Sequence, residues 1–343
     1  MLNVTIVGAT GETGRSIVDG LLRSDLQCAI TAITREESLQ KPAAKEIEAR
    51  GVKLVAANLR GPQEDLVKIL TGVDVLISAI FFPAIHDEIP LAKAAKAAGV
   101  KRFVPCSFGT PCPPGVMMLR DTKEEMFNNV LRLGLPYTLI DVGWWYQLSL
   151  PRVASGRFDY ALFNPVQFLL AGGEVPSALT DLRDVGMYVA KIISDERTLN
   201  KKVLAYTELK TQNEIFDLVE KKTGEKPEVI PNEIFDLVEK KTGEKPEVIP
   251  MSSDEIVSKL QEVISSDDGK IQITRGLFEY LRSWGVRGDN TPEFARYLGY
   301  LIADDLYPGF KGRTFESYVQ EVVDGKARMV HKDLMAKLQQ IKP

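Results

Sequence analysis

Residues 1–22 read MLNVTIVGATGETGRSIVDGLL, and this stretch decides the fold. Residues 3–7 form a β-branched apolar run suited to a buried strand. They lead into Gly8-Ala9-Thr10-Gly11-Glu12-Thr13-Gly14, and residues 17–22 then read as one face of a helix. Strand, glycine turn and helix in that order are the context a dinucleotide fingerprint requires. Gly8 permits the tight turn, Gly11 lets the backbone approach a pyrophosphate, and Gly14 lets helix and strand pack closely. The helix start, with Thr10, Glu12 and Thr13 around it, offers free N–H groups and a positive dipole end to phosphate.

Working outward, strand and helix patterns alternate. Residues 29–33 form the next strand, which ends in Thr34-Arg35. An NAD site would place an acid there for the ribose hydroxyls. Arg35 instead suits a 2′-phosphate and favours NADPH. Lys41 and Lys45 read as loop charges no less than as phosphate contacts. Residues 52–56 are a strand, with Asn58 and Leu59 after it at the expected adenine edge. Residues 63–70 are helical, and residues 73–80 form an apolar strand ending in Ser78-Ala79-Ile80, then Phe81-Phe82. Residues 88–98 form an Ala-rich helix, and residues 103–106 a strand that ends in Cys106-Ser107-Phe108-Gly109. This alternation predicts an α/β fold with a Rossmann-type doubly wound parallel sheet. Ligands of such sheets sit outside the strand C-termini, so Ser78 to Phe82 and Cys106 to Gly109 should border cofactor and substrate.

Composition narrows the function classes. The chain has 343 residues, 43 Lys+Arg against 47 Asp+Glu, three Cys and two His. A net charge of −4 gives no electrostatic footprint for nucleic acid. The odd, low Cys count argues against a disulfide scaffold, and the scattered His and Cys against a metal site. No apolar run reaches a membrane span. The chain opens on a strand with no basic segment before it, so the cytoplasm is the expected compartment.

One internal repeat stands out. Residues 213–231 read NEIFDLVEKKTGEKPEVIP, and residues 232–250 repeat them letter for letter. Each copy reads as a short helix, capped by Asn213 and stopped by Gly224 in the first copy, followed by a strand. Two copies are too few for a solenoid. Complete identity shows no adaptation to two packing sites, which points to a recent tandem duplication or a gene-prediction artefact.

Several stretches together carry a family resemblance: VGATGETG, GVDVLISAI, AAKAAGVKRFVPCSFG, LRLGLPYTLIDVGWW, TDLRDVGMYVA and ADDLYPGFKGRTFESYV. The chain resembles the NmrA-like branch of atypical short-chain dehydrogenases, in particular its isoflavone-reductase-like group, and is most similar to fungal members. The resemblance implies an NADP-binding Rossmann domain at residues 1–150, rejoined by a segment near 178–206. It also implies a smaller C-terminal α+β substrate lobe within 151–343. Reductases of this group carry a helix Lys facing the nicotinamide and substrate, about a dozen residues before a G-x-P-Y-T strand. Here that strand is Gly134-Leu135-Pro136-Tyr137-Thr138, and the matching position is Lys123. The short-chain Tyr four residues before the Lys is absent, because Leu119 stands there. Cys106-Ser107 replaces the Ser-Glu usual in plant members and leaves that Glu's role unfilled.

Lys123 has a case of its own. It follows Asp121-Thr122, a helix-start pair, which places it in a first turn where the dipole disfavours a cation. A Lys there can act as general acid or base, or steady the cofactor. Ser107 is the candidate to assist it at a substrate oxygen, or else caps its own turn. Gly143 opens the chain near the nicotinamide. Phe82, Phe108, Trp144, Trp145 and Tyr146 are the candidate substrate wall. His86 reads as a surface residue and His331 as inert in a charged helix. Cys106 and Cys112 show nothing that would activate a thiol.

The reading is an NADPH-dependent reductase of a small, apolar, aromatic substrate: an enone, quinone methide, ketone or imine of secondary metabolism. It would act as a monomer or homodimer. The alternative is a non-catalytic, NADP-binding redox sensor of the NmrA type. An open substrate cavity separates the first from the second.

Overall fold

The computed structural model describes residues 1–163, 165–166, 169–228 and 269–332. The second repeat copy, 232–250, lies outside the described residues. Strands β1 (Leu2–Val7), β2 (Cys28–Thr34), β3 (Lys53–Ala56), β4 (Val75–Ser78) and β5 (Arg102–Val104) form a parallel sheet in the order β3-β2-β1-β4-β5. A parallel bridge between Phe103 and Tyr137 leads on to β6 (Thr138–Asp141). There β10 (Lys201–Leu204) pairs parallel with β6 and with β13 (Tyr300–Ile302). The strand order reverses between β1 and β4, and that switch point fixes where a ligand can lie.

Helices α1 (Glu12–Arg23), α2 (Pro42–Ala49), α3 (Gln63–Leu70), α4 (Glu88–Ala97) and α5 (Met118–Arg132) alternate with these strands. One face packs Val4, Ile6, Ile17, Val18 and Ile77 against α6 (Val185–Ile193). The other packs Leu66, Leu70, Leu76, Leu91 and Phe103 under α3 and α4. Helices α1 and α6 touch through glycines. A Cβ on Gly186 would lie 1.7 Å from the Ser16 carbonyl oxygen, and the Gly186 N–H donates to Ser16 Oγ at 3.0 Å.

The second lobe pairs β7 (Trp144–Trp145) with β9 (Ser177–Thr180), and β9 with β11 (Glu208–Lys210). A ribbon of β8 (Arg152–Val153) and β12 (Pro227–Glu228) lies beside α7 (Gln212–Thr223). Helix α8 (Gly269–Arg282) continues into a π turn over Ser283–Arg287. It is followed by α9 (Pro292–Tyr297), α10 (Ala303–Leu306) and α11 (Phe315–Val323).

Two helix starts differ from the sequence reading. Thr211, not Asn213, caps α7: it forms a reciprocal capping box with Glu214, while Asn213 reaches the Gly172 carbonyl at 2.9 Å. Gly224 does end that helix, at φ +73°. Helix α5 begins at Met118, so Lys123 stands in the second turn and not the first. The cause is tertiary: the Met118 N–H donates to the Glu279 carboxylate of α8 at 2.6 Å. A remote acid does the work of a local cap, so the helix can start before Asp121-Thr122.

Candidate active site

A cleft of about 710 Å³ opens at the C-terminal ends of β1, β4 and β5. The glycine turn forms its floor at one end. Gly8 sits at φ +82°, where a Cβ would lie 2.4 Å from the Ala79 carbonyl oxygen. A Cβ on Gly14 would lie 2.1 Å from the Gly8 carbonyl oxygen. Gly11 caps α1 in extended conformation, with no side chain bonded to the helix start. The first turn of α1 therefore has no side-chain cap, and Thr10, Gly11, Glu12 and Thr13 at its start line the cleft, which suits a pyrophosphate. Glu12 is the one acid in the turn, and the Arg328 guanidinium and the His331 N–H (3.0 Å) both bind its carboxylate.

Arg35 borders a separate hollow with Asn58, beyond the β2 and β3 ends. Its side chain is 77% exposed and its salt bridge is with Glu37 at 3.5 Å. Asn58 accepts from the Arg60 N–H at 3.0 Å. Leu59 packs instead on the core beneath α3 and α4. Lys45 pairs with Glu48 at 2.9 Å.

At the other end, Ala79, Ile80, Phe81, Phe82, Cys106 and Gly143 line the cleft. Ser78 does not reach it; it is buried below, beside the Glu88 carboxylate. Burial pushes the Glu88 carboxyl up to about 7, against the pull of Ser78, the Cys106 N–H and Lys123. The Cys106 N–H donates to Glu88 Oε1 at 2.6 Å. The Cys106 thiol donates to the Ile80 carbonyl at 3.1 Å, and burial raises it to about 12, so it stays a thiol.

Ser107 is placed differently from its sequence reading. Its hydroxyl donates to Asp141 and accepts from Arg120 Nη1 at 3.1 Å. Arg120 and the Tyr300 hydroxyl each reach Asp141 Oδ2 at 2.6 Å. Burial pushes the Asp141 carboxyl up, but Arg120, Ser107 and Tyr300 outweigh it and hold the group below the usual carboxylate range. The hydroxyl is thus committed under the floor. It is the Ser107 main-chain carbonyl that accepts from the Lys123 ammonium in the cleft.

The aromatic wall divides. Trp144, Trp145, Phe82 and Phe108 line the cleft. Phe108 does so from φ +44°, which turns the chain toward β6. Tyr146 does not line it, contrary to the expectation. It is fully buried in the second lobe between Phe315 and Tyr318, and its hydroxyl donates to the Arg313 carbonyl at 3.1 Å. Its place follows from β7 ending at Trp145: Tyr146 opens a 3-10 turn over Tyr146–Leu148 that carries its ring into the second lobe.

Residues that the sequence reading did not place at the site also line the cleft, Tyr280, Arg328 and His331 among them. Tyr280 enters the cleft from α8, its ring 5.3 Å from Trp144. Arg328 and His331 enter from the C-terminal segment. His331, read as inert and helical, lies in a turn at φ +52°, with its ring 5.9 Å from Trp145 and 5.2 Å from Phe163. None has a local motif; tertiary packing alone brings them to the site. His86 is exposed.

A doubly wound sheet with a phosphate-shaped glycine turn, opening on an aromatic cleft that holds a Lys, defines an oxidoreductase of the dinucleotide-binding class. The chain belongs to the NmrA-like family, whose model matches residues 2–265. It is 50% identical to the asnovolin J 5′,6′-dehydrogenase of Aspergillus novofumigatus, over 94% of this chain and 96% of that one. It is 27% identical to an isoflavone reductase-like protein of Olea europaea, over 93% of this chain and 98% of the relative. Among solved structures, the leucoanthocyanidin reductase of Vitis vinifera, determined with NADPH, superposes with a TM-score of 0.70 at 23% identity. That match covers 94% of this chain and 99% of the reductase. Among the described residues no helix is long and apolar enough to cross a membrane.

Proposed function

We propose that this chain is an NADP(H)-dependent oxidoreductase acting on a small, apolar, ring-bearing substrate of secondary metabolism. The observation that carries the reading is the Lys123 ammonium, held by the Ser107 carbonyl inside a cleft walled by Trp144, Trp145 and Phe82. A fixed cation among apolar walls stabilises negative charge that develops on a substrate.

The residues present suit the cofactor. The glycine turn and the start of α1 take the pyrophosphate, Arg35 the 2′-phosphate, and the hollow at Asn58 the adenosine end. Bound there, the dihydronicotinamide supplies hydride to an electrophilic carbon of an enone, quinone methide, ketone or imine. Ala79, Ile80, Cys106 and Gly143, which line the cleft, would flank its ring, and the aromatic wall would orient the substrate. Lys123 balances the anion formed. Both a dehydrogenase and a reductase-like protein stand among the relatives, and one reversible hydride transfer serves either direction.

The redox-sensor alternative asks for a closed nicotinamide pocket, and this cleft is open, which favours the enzyme. In Lys123→Ala, kcat should fall about 100-fold or more, while the far-ultraviolet spectrum and NADP⁺ affinity stay near wild type. Undiminished kcat in a folded variant contradicts the role.

A further inference from the structure

The position of the short-chain Tyr, four residues before Lys123, holds Leu119. The cleft nevertheless contains a phenol that borders the same space as that Lys. Tyr280 Oη and Lys123 Nζ lie 3.9 Å and 3.8 Å from one point, the place a Cβ would take on Gly109. Gly109 has no side chain, so both polar atoms reach the same space. The two helices that carry them are pinned in register, because the neighbouring Glu279 caps α5 through the Met118 N–H at 2.6 Å. Arg275 holds Glu279 from one turn earlier, at 2.7 Å. Gly276 of α8 faces Leu119: a Cβ there would make an ordinary 3.7 Å contact with Leu119 Cδ1. The Tyr280 ring rests on Trp144, tilted by 55°. Among the described residues its hydroxyl makes no hydrogen bond, and it lines the cleft. Burial pushes the phenol up to about 12, so at neutral pH it carries a proton to give.

We infer that Tyr280 is a catalytic proton donor, delivered from α8 in place of the missing motif Tyr, and that the substrate carries a carbonyl oxygen, as a ketone or enone. This rests on the reductase reading above. As hydride forms a bond to the substrate carbon, the π electron pair moves on to the carbonyl or enolate oxygen. The Tyr280 O–H bond breaks, its proton forms the new O–H bond on that oxygen, and its electron pair remains on the phenolate. Lys123 stabilises the phenolate as an ammonium, and water returns the proton through the open cleft. In the oxidative direction each step reverses.

The test compares wild type with Tyr280→Phe, which keeps the ring on Trp144. With ketones and enones, kcat should fall about 100-fold or more, with KM and the NADP⁺ Kd (from tryptophan fluorescence) within threefold. Wild-type kcat in the variant overturns the Tyr280 assignment and leaves the reductase reading standing. A wild type that binds NADPH but reduces nothing overturns the reductase reading. The catalytic role falls with it, and what is then decided without turnover is whether Tyr280 donates a hydrogen bond to an oxyanion in the cleft. 4-Nitrophenol, an oxyanion mimic followed by its own absorbance, is titrated into both proteins loaded with NADP⁺. At least tenfold weaker binding to Tyr280→Phe supports the donor, and equal binding, or none to either protein, overturns it.

Discussion

Glu88 shows what single residues contribute. Its carboxylate is 2% exposed, accepts the Cys106 N–H and faces Lys123. Burial raises its pKa from 4.5 to about 7. The sign follows from linkage: a carboxyl raised in the fold adds nothing unfavourable below its unfolded value, and stability is lost as pH climbs through the folded value. The loss, complete above about pH 7, is on the order of 3 kcal/mol. Glu88→Gln keeps the acceptor for Cys106 and cannot ionise. Its stability relative to wild type, read from urea midpoints, should rise between pH 5 and pH 8 by a large part of that amount. A difference that does not vary with pH would show that Glu88 does not titrate there. At this scale the sequence was legible wherever a residue acts through its backbone, as Gly8 and Gly143 do at turns and Gly14 does where α1 packs on the Gly8 carbonyl. It misled wherever a side chain chose between two directions. Ser107 looked like a substrate contact, yet Arg120 and Asp141, on neighbouring elements, draw its hydroxyl downward. Tyr146 looked like wall and became core.

Elements were read from period and punctuation, and most read well. The strands around residues 29–33 and 52–56 and the helix over 63–70 appear as β2, β3 and α3. The strand expected over 73–80 is shorter, Val75–Ser78, because its apolar tail turns to line the cleft. Helix starts failed where the cap comes from elsewhere, as Glu279 does for α5. A contact that matters as much passes unseen in sequence: the crossing of α1 and α6 depends on Gly20 and Gly186. A Cβ on Gly20 would lie 2.0 Å from the Gly186 carbonyl carbon. Helix backbone on both sides leaves no flexible side chain to give way. Gly186→Ala should therefore cost about 1–3 kcal/mol or more and loosen α1, whose N-terminus lines the cleft. Equal denaturant midpoints for variant and wild type would refute this packing account.

Across the whole molecule, residues remote in sequence converge on one cleft. Glu12 of the first turn binds Arg328 and His331, Tyr280 comes from α8, and Lys123 from α5. Strands β6, β10 and β13 carry the parallel pairing of the first lobe onward, and Tyr300 of β13 reaches Asp141 directly. The aromatic wall and the glycine turn line the same cleft. This geometry is meant for a hydride to pass between two bound molecules, and following that hydride is the direct test. The protein is mixed with NADPH deuterated at one nicotinamide C4 position, then at the other, over a panel of enones, ketones, quinone methides and imines. The account predicts that one of the two labels appears on a single carbon of a product, and that Lys123→Ala slows its appearance. NADPH that binds but passes neither label to any member of the panel would contradict it.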